Sequence, residues 1–191
     1  SSLPDIGSPY GYKWRDSVIN YRFLESVYWN QNIKNFLKIK NDLNNLNILE
    51  IGAGSGLNSL IFYHHFSEYI KKIYLLDIPQ ILLFQEFFIK SSLKKEIVTN
   101  KFEFIESLKI EYLESIKFDI FINKDSFPEI NDYESNKYLE FISKNTGAFL
   151  FSINHESQIS NQKSLSERVK KFKNINLISR DQFTIRQEYV K

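Results

Sequence analysis

Apolar residues along this chain fall into short dense runs separated by polar or turn-forming stretches. Runs over 47–51, 72–77, 102–105, 118–123 and 148–153 have the length and β-branched or aromatic content of buried strands. Two further runs, 175–179 and 183–190, are joined by a short turn and predict an antiparallel closing pair. Between the strands the apolar positions recur at helical spacing. Asp16 predicts the cap of a helix to about residue 40, facing the core with Val18, Tyr21, Leu24, Val27, Tyr28, Ile33, Phe36 and Leu37, and with Phe23 at its edge. Further helices are expected over 55–69, 79–93 (Pro79 in the first turn), 132–144 and 165–172. The aromatic-rich stretch 81–88 reads as core at helical spacing rather than as a stacking platform. Pro4, Gly7, Pro9 and Gly11 make residues 1–13 an irregular arm, and 158–164 a polar loop. Strands alternating with helices predict an α/β fold: a mostly parallel seven-stranded sheet with an antiparallel closing strand and helices on both faces. The expected division is an N-terminal arm and helix over 1–46 and a ligand-binding domain over 47–191.

The junction between the first strand and its helix reads Ile48-Leu49-Glu50-Ile51-Gly52-Ala53-Gly54-Ser55-Gly56-Leu57-Asn58. Glycines here let a ligand approach the backbone and allow φ > 0. A dinucleotide turn of the form G-x-G-x-x-G would place its third glycine at position 57, which is Leu57. That spacing argues against a nicotinamide dehydrogenase. The observed E-x-G-x-G-x-G resembles the first motif of the class I S-adenosylmethionine-dependent methyltransferases, which have a Rossmann-like fold. Asp77 ends the second strand, 25 residues after Gly52, where a carboxylate can accept hydrogen bonds from both ribose hydroxyls. Taken singly, the turn is a tight loop and Asp77 a helix cap. Together they predict a cofactor site of Glu50, Gly52, Ala53, Gly54, Gly56, Asp77 and Ile78, with S-adenosylmethionine as the ligand that the resemblance implies.

Composition narrows the partners. The chain has 191 residues, 25 basic and 23 acidic, with a net charge of +2 and no concentrated stripe. It therefore predicts no nucleic-acid partner and no membrane insertion, and no apolar run approaches a bilayer span. With no cysteine there is no disulfide, thiolate metal site or cysteine nucleophile, and the cytoplasm is the expected compartment. Methionine is absent, the initiator included, which predicts that the sequence is not the whole gene product.

In an open α/β sheet the ligand lies beyond the carboxyl ends of the strands. Those positions hold Glu106 and Ser107, expected at the adenine, Asn123, expected at the cofactor, and Asp125, Glu129, His155 and Glu156, expected beside the transferred group. A hydroxyl acceptor needs its proton removed, and His155 is the natural base because imidazole titrates near neutrality. Asp125 could orient it or be the base itself, and Glu129 is the third catalytic candidate. The alternative is that His155 and Asp125 only cap a strand end and a turn. Asp125 and Glu156 could hold Mg²⁺, although no spacing typical of a metal site is present. Tyr10, Tyr12, Trp14 and Arg15 cluster on the arm, where they could close over the cofactor or stack on a substrate ring. His64 and His65 read as surface or cap residues.

Several segments together are similar to the sugar O-methyltransferase family of bacterial polysaccharide gene clusters. They are Asp5-Ile6-Gly7-Ser8-Pro9-Tyr10-Gly11, the glycine turn, Leu76-Asp77-Ile78-Pro79, Asp125-Ser126-Phe127-Pro128-Glu129 and Ser152-Ile153-Asn154-His155-Glu156-Ser157. The likeness spans nearly the whole chain and implies methylation of a sugar hydroxyl, nucleotide-linked or glycan-bound. Ser55 stands where that family often has an aromatic residue. The competing readings are a methyltransferase of another small molecule, a protein or nucleic acid, or a non-catalytic S-adenosylmethionine-binding module. Against amino methylation, the fourth strand runs into Asn123-Lys124-Asp125-Ser126 rather than a [D/N]-P-P-[Y/F] turn.

Overall fold

Glycine at position 11 makes room for a hairpin where the sequence predicts an irregular arm. Strands β1 (Tyr12–Trp14) and β2 (Ser17–Ile19) pair antiparallel, with Tyr12 opposite Ile19 and Trp14 opposite Ser17. A Cβ on Gly11 would lie 2.5 Å from the Ile19 carbonyl oxygen, so a larger residue would push the strands apart. This computed structural model describes residues 6, 10–15, 17–38, 44–154 and 164–176.

Helix α1 (Tyr21–Lys38) begins later than expected. Val18 belongs to β2, Asp16 lies outside the described residues, and Asn20 supplies the cap, its Oδ1 accepting the Phe23 N–H at 2.9 Å. Asn20→Ala should therefore lower unfolding free energy by about 1 kcal/mol in urea titrations. The buried stripe also differs from the expected one. It runs through Phe23, Ser26, Asn30, Ile33 and Leu37, with Glu25 beside it, while Tyr21 and Leu24 are exposed. That stripe keeps helical spacing, but two of its five positions are polar.

The remaining elements are β3 (Leu46–Ile51), α2 (Leu57–Phe66), β4 (Ile70–Asp77), α3 (Pro79–Ser92), α4 (Lys95–Lys101), β5 (Phe102–Glu106), a 3₁₀ segment (Ser107–Leu113), β6 (Ile120–Lys124), α5 (Asp132–Lys144), β7 (Phe149–Ile153) and α6 (Leu165–Val169). The five later strands form one parallel sheet in the order β5-β4-β3-β6-β7. Both faces are covered, so successive residues of β3 enter different cores. Ile48 packs with Ile33, Leu37, Leu60, Phe62, Phe88 and Ile89 under α1 to α4. Leu49 and Ile51 pack with Tyr138, Leu139, Ile142 and Leu165 under α5 and α6.

The Rossmann-like α/β expectation holds for five strands. Residues 175 and 176 are irregular, and the rest of the expected closing pair lies outside the described residues. Helix α4 and the 3₁₀ segment were not anticipated. On α3 the expectation that 81–88 is core fails in part. Leu82 and Phe88 are buried, Leu83, Phe84 and Phe87 are exposed, and Gln85 occupies an inward position. No helix among the described residues is long and apolar enough to cross a membrane.

Candidate active site

The strand order reverses direction at β3: β4 and β5 lie on one side of it, β6 and β7 on the other. The carboxyl ends of β3 and β6 therefore open the crevice where ligands of such sheets bind. The glycine turn sits at this point. Gly52, Gly54 and Gly56 have φ of +68°, +57° and +79°. The Gly52 N–H donates to the Leu76 carbonyl at 2.8 Å, and Gly56 caps α2 while its N–H donates to Ala53 at 2.9 Å. A Cβ on Gly52 would be driven into the Cβ and Oγ of Ser126, from the loop after β6. A Cβ on Gly54 would meet no atom within 4 Å. One glycine thus admits a neighbouring loop, and the other borders open space.

Asp77 closes this space from β4. Its Oδ1 accepts the Ile78 N–H at 2.9 Å, and its Oδ2 accepts from Gly54 N–H at 3.1 Å and Gln85 Nε2 at 2.7 Å. Burial pushes its pKa up, and those three donors pull it back. Ile78 is exposed at the rim. Opposite Asp77 in register, Glu106 is paired with Lys109 at 2.9 Å, and Ser107 bonds the buried Tyr138 of α5. Four expected cofactor positions, Gly54, Asp77, Glu106 and Ser107, thus share one end of the sheet.

Glu50 and Asn123, expected at the cofactor, lie beneath the turn with their polar atoms turned inward. Glu50 accepts from Asn58 Nδ2 at 3.1 Å and from Ser59 Oγ, and Asn58 Oδ1 accepts from Asn30 of α1 at 3.1 Å. Burial pushes the Glu50 carboxyl up to about 7, against the pull of Ser59, Asn58 and the Lys124 charge. Asn123 donates to the Ile51 carbonyl at 2.9 Å and to Ser126 Oγ at 2.5 Å. It accepts from Phe127 N–H at 3.2 Å and Asn154 Nδ2 at 2.8 Å. One amide thus ties together the ends of β3, β6 and β7.

The loop after β6 carries Asp125 in the left-handed region, at φ +58°, where aspartate is tolerated better than most residues. Its carboxylate receives Arg22 of α1 at 2.6 Å. Next to it Lys124 is nearly buried, 3.0 Å from Glu25 and 3.2 Å from Ser26 Oγ. Glu129 is exposed in the turn that follows. Arg168 of α6 fastens this loop from below. It donates to the carbonyls of Phe127 at 2.9 Å and Ile130 at 3.1 Å and to Ser135 Oγ at 2.9 Å, and it meets Asp132 at 3.0 Å.

His155 and Glu156 lie outside the described residues, which end on this side at Asn154. The hairpin presents Tyr10, Tyr12 and Trp14 at 97, 87 and 64 % exposure, with Arg15 at its turn. Among the described residues no three acidic or histidine side chains converge as a metal site. His64 and His65 sit in the last turn of α2, at its far end from the glycines. Sequence reasoning missed Arg22, Gln85 and Arg168. The signal available for the last two was a polar residue at an inward helical position.

A Staphylococcus aureus protein assigned as a caffeoyl-CoA O-methyltransferase is similar over 65 % of this chain and 56 % of its own, at 16 % identity and TM-score 0.50. That likeness supports the Rossmann-like methyltransferase fold. Precorrin-6y C5,15-methyltransferase of Geobacter metallireducens matches at 15 % identity, 86 % and 74 % coverage and TM-score 0.49. A Nostoc punctiforme protein assigned as an O-methyltransferase matches at 14 %, with 65 % of this chain covered and TM-score 0.45, and this chain spans only 34 % of it. No curated protein matches the chain. The family model described as lysine methyltransferase matches residues 9–171. With the glycine turn, the acid-tipped second strand and the parallel sheet all within that span, the chain belongs to the lysine methyltransferase family.

Proposed function

We propose that this chain binds S-adenosylmethionine at the end of β3 and β4 and transfers its methyl group to a sugar hydroxyl. The observation that carries the cofactor half is the open space at Gly54, bordered by the Asp77 carboxylate. Gly52, Ala53, Gly54 and Gly56 would hold the methionine end and Asp77 the ribose. Ile78, Glu106 and Ser107 would meet the adenine, while Glu50 and Asn123 hold the turn from beneath. When bound, the cofactor would supply a methyl group on a sulfonium, which the acceptor's lone pair would take by forming a C–O bond as the C–S bond broke, leaving the neutral thioether. The protein's part is then to orient the hydroxyl and take its proton.

His155, Asp125 and Glu129 are the groups assigned to that proton. Asp125 is engaged by Arg22, which favours an orienting role for it and leaves the base to His155. Tyr10, Tyr12, Trp14, Arg15 and Glu156 are assigned to the acceptor, because exposed rings offer apolar faces to a sugar. The segments Asp77-Ile78-Pro79 and Asp125-Ser126-Phe127-Pro128-Glu129 and the absence of a [D/N]-P-P-[Y/F] turn support the hydroxyl acceptor. A lysine ε-amine is the second reading, favoured by the family match over 9–171.

Titration with S-adenosylmethionine should give micromolar binding, and NADH none. Incubation with sugar acceptors and, separately, lysine peptides, followed by mass spectrometry, tells the two acceptors apart. Methylated peptide with unmodified sugars would reject the hydroxyl reading. His155→Ala should lower turnover about 100-fold or more with cofactor affinity unchanged, as measured by single-turnover kinetics. Undiminished turnover would remove His155 from the role of base.

A further inference from the structure

Among the buried residues of α3, Leu82, Phe88 and Ile89 are apolar and Gln85 is not. Gln85 is 0 % exposed. Only the amide NH₂ can face a carboxylate, so the 2.7 Å contact with Asp77 fixes the orientation of the group. The amide Oε1 is then left buried without a hydrogen-bond partner. An orphaned carbonyl is unfavourable, and an apolar side chain of the same shape would avoid it. What Gln85 supplies in exchange is one N–H at Asp77.

The acceptor positions on Asp77 show what that N–H does. A carboxylate offers about four lone-pair positions. Ile78 N–H takes one on Oδ1, and Gly54 N–H and Gln85 take two on Oδ2. One remains, while a ribose diol brings two hydroxyls. The Gly54 contact is the longest of the three and comes from a turn with open space beside it, whereas the Gln85 contact is short and locked in the core. We infer that Gln85 is a positioning residue for the nucleoside ribose: it holds Asp77 in place while the diol takes the open position and the one occupied by Gly54. This inference rests on the reading that Asp77 meets the ribose.

The test is S-adenosylmethionine titration across pH with the parent protein, Gln85→Met, Gln85→Glu and Asp77→Ala. Gln85→Met keeps the volume and should fold, as judged by circular dichroism. It should bind about tenfold more weakly, the effect of one hydrogen bond to a charged group. Binding requires the carboxylate, so affinity falls as pH drops through the pKa of Asp77. Loss of a donor raises that pKa, so the variant should lose affinity at a higher pH than the parent. The ionisable groups facing Asp77 are Glu50 from β3, Glu106 from β5 and Tyr138 from α5, and all three are common to both proteins.

Parent-like affinity and pH profile in Gln85→Met, with binding lost in Asp77→Ala, would overturn the inference and leave the ribose reading standing. Parent-like affinity in Asp77→Ala would overturn the ribose reading and the inference with it. If Gln85→Met does not fold, Gln85→Glu decides. Its second carboxylate should weaken binding most at high pH, with recovery as a shared proton restores an O–H donor. A flat profile there would overturn the inference.

Discussion

Gly52→Ala is expected to cost about 3 kcal/mol of stability and to abolish measurable cofactor binding, because two penalties coincide at that position. Its φ of +68° disfavours any side chain with a Cβ, by about 1–2 kcal/mol. The added methyl would also overlap Ser126, whose hydroxyl is held by Asn123 and the Ile51 carbonyl and cannot retreat without breaking that junction. Gly54→Ala is the informative partner. Its backbone is similarly left-handed, at φ +57°, yet the new methyl touches nothing. Stability should fall by only about 1 kcal/mol, while cofactor affinity falls on the order of 100-fold as the methyl enters the ligand's space. Thermal melts and calorimetric titrations on both variants should separate the two effects. Equal loss of stability in the two would contradict the open space at Gly54.

Arg168→Met is expected to lower unfolding free energy by about 3 kcal/mol, on the order of 10 °C in melting temperature for a chain of this size. The side chain is buried, and its removal strips donors from the carbonyls of Phe127 and Ile130 and from Ser135 at once. Those acceptors lie in the loop after β6 and the first turn of α5, which are distant in sequence from α6. The variant should therefore loosen the segment bearing Asp125 and Glu129 as well as the global fold. Urea denaturation measures the effect on the global fold. A drop below 1 kcal/mol would mean that water or neighbouring groups replace the guanidinium.

The strands and the glycine turn were legible because apolar density and backbone freedom are local properties. Ile48, Leu49 and Ile51 signal a buried strand wherever they pack, and Gly52, Gly54 and Gly56 signal a turn whatever it binds. Helix faces were less legible. Tyr21 and Leu24 were expected inside α1 but lie outside, since Ser26 and Asn30 take inward positions whose partners, Lys124 and Asn58, are remote in sequence. Phe84 and Phe87 mislead on α3 for the complementary reason: apolar residues can sit at the surface, and Gln85 faces the core. The hairpin was hidden because its strands are three residues each, too short for a period to show. Asp77 stands at the strand end where the sequence puts it, but its hydrogen bond from Gln85 was not legible, because Phe84 and Phe87 drew the expected core face of α3 away from that position.

The buried polar groups of α1 bear on how the molecule opens. Glu25 and Asn30 find partners on β6 and α2, and Lys124 and Asn58 have those same groups as their own. Lifting α1 away would break the Lys124–Glu25 ion pair and the Asn30–Asn58 hydrogen bond together with the apolar contacts of Ile33 and Leu37. Local opening is therefore suppressed there. The amide protons of Asn30 and Leu37 should exchange with solvent as slowly as those of β3, through one cooperative event. On that expectation the first described helix and the end of the sheet open together, and the crevice at the carboxyl ends of β3 and β6 keeps its floor until the sheet itself gives way.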